Sequence, residues 1–321
     1  MKKAIIYGVT GQDGSYLSDL LLSKQYTVYG VTRRSSSDNT SRITHSLNKN
    51  NFNLVQGDVT DTSSIYRLLN ETQADEVYNL AAQSNVGISF GQPQLTWNVT
   101  GQGCLNILEV IRSMGNRPRF YQASSSEMFG DQLSTQENVS LNGLQPTQKP
   151  YQNEQTRFNP QSPYGVAKLA AHHSVRLYRE SYGIFACGGI LFNHESERRG
   201  EKFVTRKISR YVANLHLATQ RGRSIPKLKL GNLCAIRDWG HAEDYLKEAF
   251  KCIDISEYMD YVEIDKELKR PSEVPYLRGS ALKAKRELGW IPKIDFKSLV
   301  SRMVQNDIQS NSKHKEDYTT T

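Results

Sequence analysis

The sequence predicts an α/β fold, a doubly wound and mostly parallel sheet with a small C-terminal lobe, on three observations. β-Branched strands alternate with segments of helical periodicity through the first 191 residues. The first strand is joined to the first helix by Gly8-Val-Thr-Gly11-Gln-Asp-Gly14, with a glycine at every third residue. Beyond Leu191 the alternation loosens, as expected of a smaller lobe assembled at the mouth of a sheet.

Each element follows in order. Lys3 to Tyr7 reads as a strand, and Ser15 to Lys24 as a helix through Leu17, Leu20 and Leu21. Tyr26 to Thr32 and Phe52 to Gln56 are the next strands, the latter ending at Gly57-Asp58. A helix over Thr62 to Glu71 leads to a fourth strand, Glu76 to Ala81. Val99, Leu105, Leu108 and Ile111 predict one long helix from Thr96 to Met114. Arg119 to Ala123 is the fifth strand, Tyr164 to Tyr182 another long helix, and Phe185 to Leu191 the sixth strand. Asp131 to Gln161 is polar and rich in Pro, Gln and Asn, too long for an ordinary connection.

The bulk numbers exclude several classes. The chain has 321 residues, 37% hydrophobic and 23% charged, which describes a folded protein rather than a disordered one. Apolar runs such as Ala4-Ile5-Ile6-Tyr7 are strand-sized, so no membrane association is expected. The start resembles a signal peptide only until Gly8 breaks it. Cys104, Cys187, Cys234 and Cys252 have no close spacing, which argues against a zinc site and for a reducing, cytoplasmic setting. The net charge of +8 is dispersed, so we expect no nucleic-acid partner; a basic surface also suits an anionic substrate.

Three constellations carry chemistry. Gly8, Gly11 and Gly14 lie in the strand–turn–helix context of a pyrophosphate cradle, although ordinary turn glycines share the spacing. About twenty residues on, where an acid commonly binds the ribose of NAD, stand Arg33 and Arg34. With Ser35 beside them they favour the 2′-phosphate of NADP; solvated arginines at a strand end are the alternative. Tyr164 and Lys168 are one helical turn apart, so the ammonium can lower the phenol's pKa and make it a general base. Ser125 and Glu127 follow the fifth strand; if the strand continues they share one face, and otherwise the serines cap a helix.

Several stretches resemble the GDP-mannose 4,6-dehydratases of the extended short-chain dehydrogenase class, a Rossmann-like family. They include Phe120-Tyr-Gln-Ala-Ser-Ser-Ser-Glu-Met-Phe-Gly130, Ser162-Pro-Tyr-Gly-Val-Ala-Lys168, Gly189-Ile-Leu-Phe-Asn-His-Glu-Ser196, Arg237-Asp-Trp-Gly-His241 and Arg270-Pro-Ser-Glu-Val274. The resemblance implies that Tyr164 deprotonates the C4 hydroxyl, supported by Lys168 and Ser125, and that Glu127 takes the C5 proton. It implies a cofactor site at Gly8, Gly11, Gln12, Asp13, Gly14, Arg33, Arg34, Ser35, Asp58, Leu80, Ala81, Ala82, Gln83, Tyr164, Lys168, His194 and Arg199. It assigns Ser84, Asn193, Lys207, Arg237, Arg270 and Glu273 to GDP-mannose, and no residue to a metal. It also implies a homodimer or homotetramer, paired through the two long helices, with Ser35 and Arg42 reaching a neighbour.

On this reading residues 1–191 form the NADP-binding domain, with 236–256 packing back onto it. Residues 192–235 and 257–309 form the substrate lobe, and 310–321 a disordered tail. Two departures stand out: Asp131 to Gln161 is long for the family, and the span between Tyr245 and Arg270 is short. Two alternatives stay open: a related nucleotide-sugar epimerase or reductase, or, because of the short span, a cofactor-binding homologue with little activity.

Overall fold

The computed structural model describes residues 1–132, 151–244 and 262–313. They fall into two compact units, Met1–Leu133 with Thr156–Leu191, and Ser134–Gln155 with Phe192–Thr321.

The first unit is built on a six-stranded, all-parallel sheet in the order β3-β2-β1-β4-β5-β6. The strands are β1 (Lys3–Tyr7), β2 (Thr27–Thr32), β3 (Phe52–Gln56), β4 (Glu76–Asn79), β5 (Arg119–Ser125) and β6 (Ala186–Leu191). Helices α1 (Gln12–Ser23), α2 (Thr62–Thr72), α3 (Val86–Gly91), α4 (Pro93–Thr96), α5 (Gly103–Ser113) and α6 (Pro163–Tyr182) complete it. Both faces of the sheet are covered, as parallel pairing requires. Alternate residues of β1 therefore enter separate cores, Ile5 and Tyr7 one, Ala4 and Ile6 the other. Order reverses between β1 and β4, opening the crevice at the strands' C-terminal ends where ligands enter such sheets.

The helix predicted from Thr96 to Met114 is not one uniform helix. A π-helical stretch, Trp97–Gln102, separates α4 from α5. Within it Gly101 lies against the Trp97 ring, and Gly103 just beyond leaves no room for a Cβ beside Val59. The helix is pressed onto its neighbours where its ladder widens.

The second unit holds two small parallel pairs, β7 (Asn193–Glu195) with β9 (Trp239–His241), and β8 (Leu228–Leu230) with β10 (Val262–Ile264). Helices α7 (Val204–Thr219), α8 (Leu282–Leu288) and α9 (Phe296–Lys313) accompany them. Residues 151–155 group here rather than with the first 191 residues, because Gln152 bridges to Gly279. Its buried side chain accepts from Arg278 N at 2.8 Å and donates to Tyr276 O at 3.1 Å, substituting for a strand partner. Helix α9 runs to Lys313, so residues 310–313, read from the sequence as tail, are helical, and Asn311 Nδ2 donates to Asn214 Oδ1 at 2.8 Å. The central part of the long polar insertion (133–150), the shortened span (245–261) and residues 314–321 lie outside the described residues. Among the described residues no helix is long and apolar enough to cross a membrane.

Candidate active site

The candidate residues of the first unit are gathered on β5, on the turn that follows it and on α6. The strand stops at Ser125 and turns into a 3-10 segment, Ser126–Met128, so Glu127 does not continue the strand face. Ser125 caps that turn, its Oγ accepting from Glu127 N at 3.2 Å. Capping and carboxylate presentation are thus one arrangement, where the sequence left them as alternatives. Helix α6 starts opposite: Ser162 Oγ accepts from Gly165 N at 3.0 Å and Pro163 opens the first turn. A Cβ on Gly165 would lie 2.8 Å from Glu127 O, so the missing side chain lets this turn sit directly on the Glu127 turn. Tyr164, Ser125 and Glu127 are each 7–8% exposed.

Tyr164, Lys168 and His172 form one stripe along α6. Lys168 Nζ lies 5.7 Å from the Tyr164 ring centroid and donates to Ala123 O at 2.6 Å. Burial pushes its ammonium down to about 8, which leaves it mainly protonated at neutral pH. His172 Nδ1 pairs with Ser124 Oγ at 2.8 Å, and burial, reinforced by His173, Arg179 and Arg176, holds the imidazole down at about 4.

At the end of β1, Gly8 adopts φ +83°, a conformation that other residues rarely take. A Cβ on Gly14 would lie 2.3 Å from Gly8 O, so only glycine lets α1 fold back onto the turn. Gly11 stands at the N-cap of α1, where no side chain caps the helix. That open N-terminus fits a pyrophosphate. Arg33, Arg34 and Ser35 are exposed; neither guanidinium has a partner among the described residues, as a 2′-phosphate would require. Ser35 Oγ bonds Ser37 Oγ at 3.2 Å.

The remaining cofactor candidates of this unit are arranged around the same loop. Arg42 Nη1 donates to Thr10 O of its own glycine turn at 3.3 Å. Asp58 is occupied by an Asx turn, accepting from Thr60 N at 2.9 Å and Thr60 Oγ1 at 2.8 Å. Leu80 and Ala81 lie beneath Gly8, and half-buried Ala82 follows them. Gln83 Nε2 donates to Asn85 O at 3.0 Å and Thr96 Oγ1 at 3.1 Å, while Ser84 is exposed.

In the second unit Arg237, Arg270 and Glu273 are brought together. Arg237, with an 11% exposed side chain, lies 3.9 Å from Glu273 Oε2, and Arg270 N donates to Glu273 Oε1 at 3.4 Å. Arg237 is therefore no freely solvated surface ion. Asn193 is half-buried on β7, as is Lys207 on α7. His194 Nδ1 donates to Phe192 O at 2.7 Å. Arg199 pairs with Glu195 at 3.0 Å and stacks on Phe203, 3.6 Å from its centroid.

Comparison with known proteins gives the chain a family. A family described as GDP-mannose 4,6 dehydratase matches residues 5–262 and again 247–303. The chain is 43% identical to GDP-mannose 4,6 dehydratase 2 of Arabidopsis thaliana, over 98% of this chain and 89% of that one. It is 40% identical to the GDP-mannose 4,6-dehydratase of Yersinia enterocolitica, over 98% and 96%. The chain belongs to the GDP-mannose 4,6-dehydratase family. A dTDP-glucose 4,6-dehydratase of Bacillus anthracis, solved in complex with NAD, shares the fold at a TM-score of 0.75 and 18% identity, covering 97% and 98%. Aligned lengths of 352 and 376 residues exceed the 321 of this chain, so GDP-mannose 4,6-dehydratases carry segments without counterpart here. The two matched stretches overlap at 247–262, inside the span read from the sequence as shortened.

Within this member of the GDP-mannose 4,6-dehydratase family, two features escaped the sequence reading. One is Gly165, given no role in the sequence reading. A glycine in the first turn of a helix lowers helix stability, and that cost was its available signal. The other is a pair of buried amides not singled out from the sequence: Asn79, the last residue of β4, and Gln122, its partner within β5.

Proposed function

We propose that this chain dehydrates GDP-mannose to GDP-4-keto-6-deoxymannose, using NADP as a resident cofactor. Family membership supports the reaction class. The observation supporting the assignment is the close packing of the Gly165 turn on the Glu127 turn, with Tyr164 and Glu127 both nearly buried.

The glycine turn and the Arg33–Arg34 pair would hold the dinucleotide, with Tyr164 and Lys168 near its nicotinamide ribose. A bound nicotinamide supplies the hydride relay from C4 to C6. Tyr164 takes the C4 hydroxyl proton, and the Lys168 ammonium favours the phenolate needed for that step. Ser125 donates to the C4 oxygen. The 4-keto group acidifies C5; Glu127 removes that proton, which leaves with the C6 hydroxyl as water. Hydride then enters at C6 and a proton at C5, so the net change is loss of one water. Arg237 and Arg270 bind the diphosphate side, and Glu273 holds Arg237 in place.

A homodimer or homotetramer fits the apolar surface of the long helices, where Leu95, Trp97, Val166, Leu177 and Tyr182 are 42–55% exposed. The three described cysteines are free thiols, in keeping with a reducing, cytoplasmic setting.

The test is incubation with GDP-mannose and NADP⁺, followed by mass spectrometry. Loss of one water without net reduced cofactor supports the proposal. In Glu127→Gln, dehydration falls about 10²–10⁴-fold while C4 oxidation survives. An unchanged overall rate in that variant points instead to an epimerase or reductase, and no product from the parent chain points to a cofactor-binding homologue.

A further inference from the structure

Strands β4 and β5 carry apolar residues, Val77 and Phe120, on the face that enters the larger core. One step further along that face the residues change to Asn79 and Gln122, paired across the ladder and both fully buried. Strand β4 ends there, so Ala123 has no paired residue on β4, and its carbonyl takes side-chain donors instead. Lys168 Nζ donates to it at 2.6 Å and Gln122 Nε2 at 3.0 Å. On the other side Asn79 Nδ2 donates to Gln122 Oε1 at 2.7 Å, and Asn79 Oδ1 accepts from Ala81 N at 3.3 Å.

The direction of this chain of bonds is set at both ends. Ala81 N can only donate, so Asn79 must turn its oxygen toward it and its nitrogen toward Gln122. Ala123 O can only accept, so Gln122 must turn its nitrogen there. One orientation of the two amides satisfies every member. Packing alone would be met by continuing Val77 and Phe120 with apolar residues, because buried amides are favourable only when fully paired. The bonds run from the backbone beneath Gly8 to the ammonium beside Tyr164.

We propose that Gln122, oriented by Asn79, is a positioning residue that fixes Lys168 relative to Tyr164 by holding the Ala123 carbonyl in place. The proposal rests on the reading of Tyr164 and Lys168 as the oxidising pair. In this role Gln122 acts through Lys168, with which it shares the Ala123 carbonyl.

A double-mutant cycle tests it with a readout separate from turnover. The Tyr164 phenol is titrated by near-ultraviolet difference absorbance, each chain against the same chain carrying Tyr164→Phe. The four chains are the parent, Gln122→Met, Lys168→Met and the double variant. Gln122→Met should raise the titration midpoint by about 1 pH unit and move the acid limb of kcat upward equally, with KM for GDP-mannose unchanged. In the Lys168→Met background the same substitution should shift nothing further. An unmoved midpoint, or an equal shift with and without Lys168, overturns the proposal. Should Gln122→Met not fold, Asn79→Leu enters the same cycle, and failure of both to fold assigns the amides to stability and also overturns it. A parent chain that makes no product refutes the proposed reaction, while the phenol titration still decides the role of Gln122.

Discussion

The two units are held together by different physics. In the first, apolar residues from every strand and from α2, α5 and α6 fill two dry cores, with Ile5, Ile6, Ile65, Leu69, Ile107 and Ile111 fully buried. In the second, α8 buries no residue, and Val204, Ile208 and Val212 along α7 remain 39–43% exposed. It buries fewer apolar side chains, among them Ala213, Leu277, Leu299 and Met303, and adds ion pairs and polar contacts at its joints. Arg206 meets Asp307 at 2.7 Å, Ser209 Oγ donates to Asp307 at 2.6 Å, and Glu197 accepts from Arg302 at 2.9 Å. An apolar core tolerates exchange among residues of similar volume, whereas a buried ion pair depends on each partner. The comparison teaches that the catalytic residues we propose sit on the tolerant scaffold, and Arg237, Arg270 and Glu273 on the exacting one.

The strongest way to break this comparison is Asp307→Ala. It strands the Arg206 guanidinium in a site where its side chain is only 12% exposed, and we expect a loss of about 3–5 kcal/mol. Hydrogen exchange should show α7 and α9 losing protection while the six-stranded sheet keeps its own. Equal loss in both units would mean that they do not differ in the way described.

A smaller effect is expected from Gly14→Ala. The added methyl meets Gly8 O, and relief of that overlap should cost about 1–3 kcal/mol in thermal unfolding. NADP affinity should fall in calorimetric titration, with second-unit protection unaltered. Undiminished NADP affinity would remove the glycine turn from the cofactor site.

Acid sharpens the comparison with the smallest effects. His172 is held at about 4, below its usual 6.5, because burial favours the neutral ring. Its contribution is therefore complete above about 6.5 and is lost as pH falls toward about 4. For Glu197 burial acts to raise the pKa, but hydrogen bonds from His241 and its own backbone, with the charge of Arg302, outweigh it and hold it at about 2. That contribution is present above about 4.5 and is lost as pH falls toward about 2. The first unit should loosen at the higher pH, and His172→Asn should remove that step. Simultaneous acid unfolding of both units would contradict the assignment.

Much of the first unit was legible because its signals are local. Apolar strand residues, the spacing of Gly8, Gly11 and Gly14, and the one-turn separation of Tyr164 from Lys168 are each contained within a single element. Those patterns determine strand, turn and helix, and they place Tyr164 and Lys168 on one face of α6. Tertiary structure alone decided the rest. Ser125 ends β5 by capping the turn that presents Glu127, a choice settled by where α6 packs through Gly165. Gln122 meets Asn79 across 43 positions of sequence, and Gln152 meets Arg278 across 126. A polar residue in a sequence shows what it can donate or accept, but its partner is set by which elements the fold brings together. Burial then makes that partner obligatory, because an amide or ammonium withdrawn from water must be satisfied by whatever lies within reach.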